Sequence, residues 1–355
     1  MRAVAPRSEP PAPWPDPSAY PRLRFMGSKH RLLPWVEGVL GELAFESALD
    51  AFSGSGCVAY LLKTMGKDVR ANDFLSFACD LTRATVANSH ATLSDDDLAA
   101  VREPAPYGPR FIEETFRGIF FPDADNRFLD RVVHNAAGLD PARRALVLAS
   151  LHRACLKRQP RGVFTVSGLG RYDDGRRDLR LSLEEHFLES AAVFNGLVFD
   201  SDREHRVTRG DVFALDAADV DVDLVYLDPP YVPRADDNCY IKRYHFLEGL
   251  STYWQDAEFH PTSRVRKLAK RHTPFSYRRE AEQAFRHLFE RFAASTIVLS
   301  YSSNGYPDLD VLTRLLREHK TDVTVHEQAH RYHFGTHGGV APQRTAVREY
   351  LLVGV

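Results

Sequence analysis

Short apolar runs and amphipathic stretches alternate along this chain, and their order predicts most of its elements. "SALDAF" (47–52) is an apolar run ending in a Gly-Ser turn, and "CVAYLLKTMG" (57–66) has helical spacing closed by Gly66. "DVRANDF" (68–74) predicts the next strand. Strand, helix and strand in this order form a β-α-β unit, which implies parallel pairing and a right-handed crossover. "VDLVYLD" (222–228) and "STIVLSY" (295–301) predict further buried strands, with helical patterns near 244–256 and 280–293. "DVTVHEQ" (322–328) and "AVREYLLVGV" (346–355) predict a closing antiparallel pair, and "FMGSKHRLLPWVEGVLGEL" (25–43) a polar turn running into an amphipathic helix. The pattern is that of an α/β fold with a doubly wound, mostly parallel sheet.

Between about 80 and 200 the pattern changes to mostly helical, as in "ARRALVLASLHRACLKR" (142–158), interrupted by the basic, glycine-containing stretch 159–178. This predicts an inserted helical region over 81–205, splitting a catalytic domain into 22–80 and 206–355. Residues 1–21 are proline-rich and predict a disordered tail. With 355 residues the chain can bury a large core, and its 44% hydrophobic and 26% charged content is ordinary for a soluble protein. No apolar run approaches the roughly 20 residues that cross a bilayer. The four dispersed cysteines form no metal or disulfide framework, which places the chain in a reducing cytoplasm.

The formal charge of -2 decides nothing about partners, but its distribution is informative. Residues 262–279 hold seven Lys or Arg and no acid; residues 157–180 hold seven against three acids. On charge alone each is a solvated helix face. That changes if the site demands an anionic polymer.

Gly54 and Gly56 in "DAFSGSGCVA" stand at a strand-to-helix turn, where glycine lets backbone approach a ligand. Gly54-x-Gly56-x-x-Ala59 satisfies the dinucleotide fingerprint, and Asp73 holds the ribose-binding position after the second strand. The ligand is open at this level. Asp50, just before the glycines, would repel a pyrophosphate and suits a cationic amino-acid end, favouring S-adenosyl-L-methionine over NAD.

In "VYLDPPYVPR" (225–234) a buried strand stops on an acid, two prolines and an aromatic. Methylation of an amino group on a heteroaromatic base gives each a task. The lone pair of that nitrogen is delocalised into the ring. The Asp228 carboxylate and the Pro229 carbonyl, each accepting one N–H, would localise it. Pro229 and Pro230 hold the acceptors rigid, and Tyr231 offers a face for stacking. A base inside a duplex must be flipped out to reach such a corner.

These motifs resemble, in order and over 22–355, the Dam-like DNA adenine (N6) methyltransferases. "RFMGSKHRL" (24–32) is similar to the family's first cofactor motif, which implies that Lys29 is its lysine and that Phe25 and Met26 form a wall beside the methionine part of the cofactor. "DAFSGSG" sets Phe52 beside the ligand, and "RGDVF" (209–213) resembles the motif whose acid, Asp211, binds the cofactor adenine, with Val212 against its ring. "DPPY" is the catalytic motif and "YHFLEGL" (244–250) the segment after it. The resemblance implies direct methyl transfer without a covalent enzyme intermediate or a metal, on double-stranded DNA. It also implies target recognition in the insertion, with Lys157, Arg158, Arg161 and Arg171 on the DNA. A DNA substrate turns Arg266, Lys267, Lys270 and Arg271 towards phosphate contact.

N4-cytosine methylation uses the same chemistry, and Asp rather than Ser at 228 tilts the choice to adenine. An NAD-dependent oxidoreductase and a non-catalytic DNA-binding module are the alternatives of other classes, and a restriction enzyme is a possible partner. The histidines at 326, 330, 333 and 337 are scattered by a strand and favour phosphate contact or a polar turn over metal. Ser300, Ser302 and Asn304 follow a strand at the same edge and are candidates for the base pocket. So are Tyr240 and Tyr244.

Overall fold

A computed structural model describes residues 14–104, 108–167, 175–232, 240–334 and 343–355. Its seven strands are β1 (Ser47–Asp50), β2 (Asp68–Asp73), β3 (His205–Arg209), β4 (Leu224–Leu227), β5 (Thr296–Ser302), β6 (Val323–Phe334) and β7 (Gln343–Gly354). They lie in the order β3-β2-β1-β4-β5-β7-β6. The first five are parallel; β7 runs antiparallel to both β5 and β6. This is the expected doubly wound sheet with its closing antiparallel pair.

Successive strand residues face opposite sides, and the core divides accordingly. Ala48, Leu224, Tyr226 and Val298 join the hydrophobic layer on one face. Leu49, Val225, Leu227, Ile297 and Leu299 join the layer on the other. That second layer is closed by Phe285 and Leu288 of the helix Arg278–Arg291 and by Leu312 and Leu315 of the helix Leu309–Arg317. Leu315 is fully buried, so its truncation to Ala would cost about 2–5 kcal/mol.

The helical region packs on the first face. Its longest helix, Pro141–Arg158, starts where the Asp140 carboxylate accepts from the amides of Ala142 and Arg143, with Pro141 at the first helical position. It packs against the helix Leu183–Asn195, begun by a Ser182–Glu185 capping box, and against the helix Ser76–Thr82. Leu146, Leu151 and Phe187 share one continuous cluster with the strands. The helical region therefore shares the sheet's core.

One strand is new and two expectations are corrected. β3 did not stand out in the sequence, because "HRVTR" is a polar edge strand with no fully buried residue. Within 1–21, the described part is structured: Asp16 caps a 3-10 turn at Pro17–Ala19, and Tyr20 is buried with its hydroxyl donating to the Ser55 carbonyl (2.6 Å). The basic stretch at 262–279 is no helix face. It belongs to a loop with one bridge, Phe259↔Leu268, and a 3-10 turn at Pro274–Ser276, and the helix Arg278–Arg291 begins only at its end. No described helix is long and apolar enough to cross a membrane.

Candidate active site

β1 delivers Asp50 to the carboxyl edge of the sheet, and the chain then turns at Gly54 (φ +50°) and Gly56 (φ +80°) into the helix Cys57–Thr64. Both torsions lie in the region that disfavours a Cβ. Gly54 does face the cavity, where an added Cβ would stand 3.1 Å from the Phe25 ring. Gly56 does not: its missing Cβ makes room for the Tyr20 hydroxyl, 2.7 Å away. Gly56 is thus a turn residue packed on the N-terminal segment and does not line the cavity.

Asp73, at the end of β2, binds the glycine turn directly. One of its oxygens accepts from the Gly54 amide and the other from the Leu75 amide, both at 2.8 Å. Burial nevertheless raises its carboxyl to about 6. Asp50 is the more extreme case. It is 1% exposed and neither oxygen closes a hydrogen bond. Burial, with the nearby charges of Asp228 and Asp73, pushes its carboxyl up to about 8. Burying a carboxylate is costly unless a positive group or hydrogen-bond donors compensate it.

β4 pairs with β1 in the register Asp50↔Tyr226, which brings the end of β4 alongside the glycine turn. Asp228 follows directly and receives the Lys29 ammonium at 2.6 and 2.8 Å. Lys29, 3% exposed, also donates to the Gly27 carbonyl (3.0 Å) and lies 5.1 Å from the centre of the Tyr231 ring. Burial raises the Asp228 carboxyl, and Lys29 opposes that rise. Tyr231 packs edge-on against Tyr301 (4.8 Å), and its hydroxyl donates to Glu349 of β7 (3.3 Å).

The N-terminal segment forms the third wall. Phe25 stacks on Tyr244 (5.0 Å, 8°), and the Met26 amide donates to the Tyr244 hydroxyl (2.8 Å). Tyr244 is a fully buried support, whereas Tyr240 lines the cavity. Both belong to the kinked helix Tyr240–Thr252, which also carries the buried Glu248. Glu248 accepts from the Ser76 hydroxyl (3.0 Å) and the Phe77 amide (3.4 Å), and it pairs with Arg271 (3.6 Å).

One cavity is lined by Asp228, Pro229, Pro230 and Tyr231 together with Phe25, Met26, Lys29, Asp50, Phe52, Gly54, Asp73, Asp211 and Val212. Of the fourteen candidates from the cofactor and catalytic motifs, Gly56 alone stays outside it. Asp211 caps the following 3-10 turn through the Phe213 amide (3.0 Å).

Sequence reasoning missed Asn72, Tyr226 and Phe275 as lining residues. Asn72 donates to the carbonyls of Ala51 and Gly210 (3.2 Å each), tying three strand ends together. It stands beside Asp73 in "ANDF", and that adjacency was its only signal. Phe275 meets Phe52 edge-on at 5.6 Å, a pairing of distant segments with no local sequence mark. Ser300, Ser302 and Asn304 do not line the cavity; the two serines are buried and Asn304 is exposed.

The basic candidates divide. Lys157 pairs with Glu189 (3.0 Å), and Arg158 pairs with Asp125 (3.2 Å). Acids of the helical region thus engage both. Arg161 is exposed, and Arg171 lies outside the described residues. Arg266 and Lys270 are exposed, Lys267 is partly exposed, and Arg271 lies on the cavity rim. His326 and His330 lie on the outer strand β6, and His337 is outside the described residues. Among the described residues no group of three His, Cys, Asp or Glu is placed to hold a metal.

The sheet order, with a glycine turn after β1 facing an acid–proline corner after β4, is that of an S-adenosylmethionine-type methyltransferase. The chain belongs to the D12 class N6 adenine-specific DNA methyltransferases, whose family model matches residues 25–301. It is 27% identical to type II methyltransferase M2.HphI of Haemophilus parahaemolyticus, over 88% of this chain and 92% of the relative. It is 24% identical to type II methyltransferase M.NlaIII of Neisseria lactamica, over 80% of this chain and 84% of the relative. With modification methylase StsI of Streptococcus sanguinis it shares 25% identity over 85% of this chain, which spans 47% of that protein. The protein is a site-specific adenine DNA methyltransferase. The oxidoreductase, cytosine and non-catalytic alternatives fall with that membership.

Proposed function

We propose that this cavity holds S-adenosyl-L-methionine over the glycine turn and an extrahelical adenine at the acid–proline corner. The observation that carries this is Asp50, a buried carboxylate with no hydrogen-bond partner, in the same cavity as Asp228. The group fits: Asp50 would take the α-ammonium, Asp73 the ribose, Asp211 and Val212 the adenine, and Phe25 and Met26 the methionine arm. When bound, S-adenosyl-L-methionine supplies an electrophilic methyl group on a positively charged sulfur for adenine N6.

The chain's own residues do the rest. Burial raises the Asp228 carboxyl and Lys29 opposes that rise, which favours the carboxylate form that accepts hydrogen bonds. Asp228 and the Pro229 carbonyl each accept one N6 hydrogen and localise the nitrogen lone pair. The two prolines hold those acceptors in place beforehand. Once N6 carries a fourth substituent its proton is acidic, and Asp228 can pass it to water without being a strong base.

Residues 81–205 are the region assigned to target recognition, within a cytoplasmic, DNA-associated enzyme. A restriction endonuclease of the same site is the expected partner, supported by the type II names of the relatives. The test is Asp228→Ala, read by base-resolved modification sequencing and by calorimetry with S-adenosylhomocysteine. Methylation should fall by roughly 10³-fold or more with cofactor binding retained. Retained methylation would remove Asp228 from the reaction.

A further inference from the structure

β6 and β7 are longer than the sheet they close. β7 pairs with β5 from Gly354↔Ile297 to Glu349↔Ser302, while its ladder with β6 continues from Arg348↔Ala329 to Gln343↔Phe334. Those extra rungs carry the ribbon roughly 20 Å beyond β5, at about 3.4 Å per residue. β5 runs parallel to β4, so the ribbon leaves the sheet at the edge that bears Asp228. Its root is fastened there. Tyr231 donates to Glu349, the Arg348 amide to the Ser303 hydroxyl (3.0 Å), and the Ser303 amide to the Arg348 carbonyl (2.9 Å).

The projecting rungs, 329–334 and 343–348, contain Arg331, Arg344 and Arg348 with His330 and His333, and no Asp or Glu. Arg331 is exposed, and Arg348 reaches back to Glu327 at 3.3 Å. A cationic two-stranded ribbon is a shape that lies along or within a duplex groove. For a base to reach Asp228, the duplex must pass this edge.

We propose that the β6–β7 ribbon is a further DNA arm, resting with Arg331 on the phosphates that flank the flipped base. It is separate from the insertion and from the basic loop at 262–279. The proposal rests on Asp228 receiving the base. Its reach of roughly 20 Å covers a little over half of a helical turn, about 34 Å, so it adds contacts outside the recognised site.

The test uses the full chain and a duplex containing its target, with KM for DNA measured across a salt series. Arg331→Glu should raise KM about tenfold and flatten the slope of log affinity against log salt by about one phosphate's worth, near 0.9. The kcat at saturating DNA and the affinity for S-adenosylhomocysteine should stay at wild-type values. Arg331→Lys should behave as wild type. Unchanged KM and salt slope in Arg331→Glu would overturn the arm, as would a change in sedimenting mass with DNA affinity intact, which would mark the ribbon as a contact between copies. If Arg331→Glu also lowers the melting temperature, Arg331→Lys and Arg331→Gln decide at matched stability, and equal slopes overturn the proposal. DNA binding by Asp228→Ala separates the two questions, because the slope is read there without catalysis.

Discussion

Residues 157–180 and 262–279 contain seven Lys or Arg each, yet the fold uses them in opposite ways. In the first, Lys157 and Arg177 meet on Glu189, Arg158 meets Asp125, and Arg176 caps the Pro160 carbonyl. Those two cations hold the Glu189 carboxyl down at about 2. In the second, no acid occurs within the stretch; Arg266 and Lys270 are exposed, and Arg271, on the cavity rim, pairs with Glu248 at 3.6 Å. A positive run becomes internal framework where acids elsewhere in the fold reach most of it; in the second run Glu248 reaches Arg271, while Arg266 is exposed to an anionic partner. The cavity repeats the lesson with the opposite sign: Asp228 has Lys29, and Asp50 has no hydrogen-bond partner.

The sharpest way to break this contrast is the double charge reversal Arg266→Glu with Lys267→Glu. It should lower kcat/KM for DNA by about 100-fold and flatten the salt slope by about two phosphates, measured by steady-state methylation across ionic strengths. Arg158→Ala should do the reverse. Loss of its ion pair with the nearly buried Asp125 should cost about 2 kcal/mol in denaturant unfolding, with KM for DNA unchanged.

Asp50 provides a pH test. Its carboxyl titrates near 8 in the folded protein and near 4 in an unfolded chain. A cationic ligand needs it ionised, so affinity for S-adenosylhomocysteine should fall as pH drops below about 8, by up to about tenfold per unit. Stability of the ligand-free protein should rise over the same descent, because the folded state takes up the proton first. Asp50→Asn should flatten the affinity profile. The smallest effect belongs to Lys157→Ala, about 0.5 kcal/mol, since that pair is partly open to water.

The strands beside the site were legible because β1, β4 and β5 are fully or nearly fully buried around apolar runs, and Gly54 and the Asp-Pro-Pro-Tyr corner are rare local events. What escaped depends on distant partners. β3 has a half-exposed polar pattern that only its pairing with β2 explains. Gly56 carried a motif's spacing, but its neighbour turned out to be Tyr20 from a segment expected to be unstructured. Lys157 and Arg158 read as surface charges until Asp125 and Glu189 were folded against them.

The contact between Tyr231 and Glu349 has a consequence for biosynthesis. β7 is the last strand of the sheet to be made, yet it inserts between β5 and β6. A nascent chain therefore carries its entire glycine turn and acid–proline corner before the residue that fixes the tyrosine has been translated. Tyr231 gains this partner only after the chain has grown by the 118 residues that take it to Glu349.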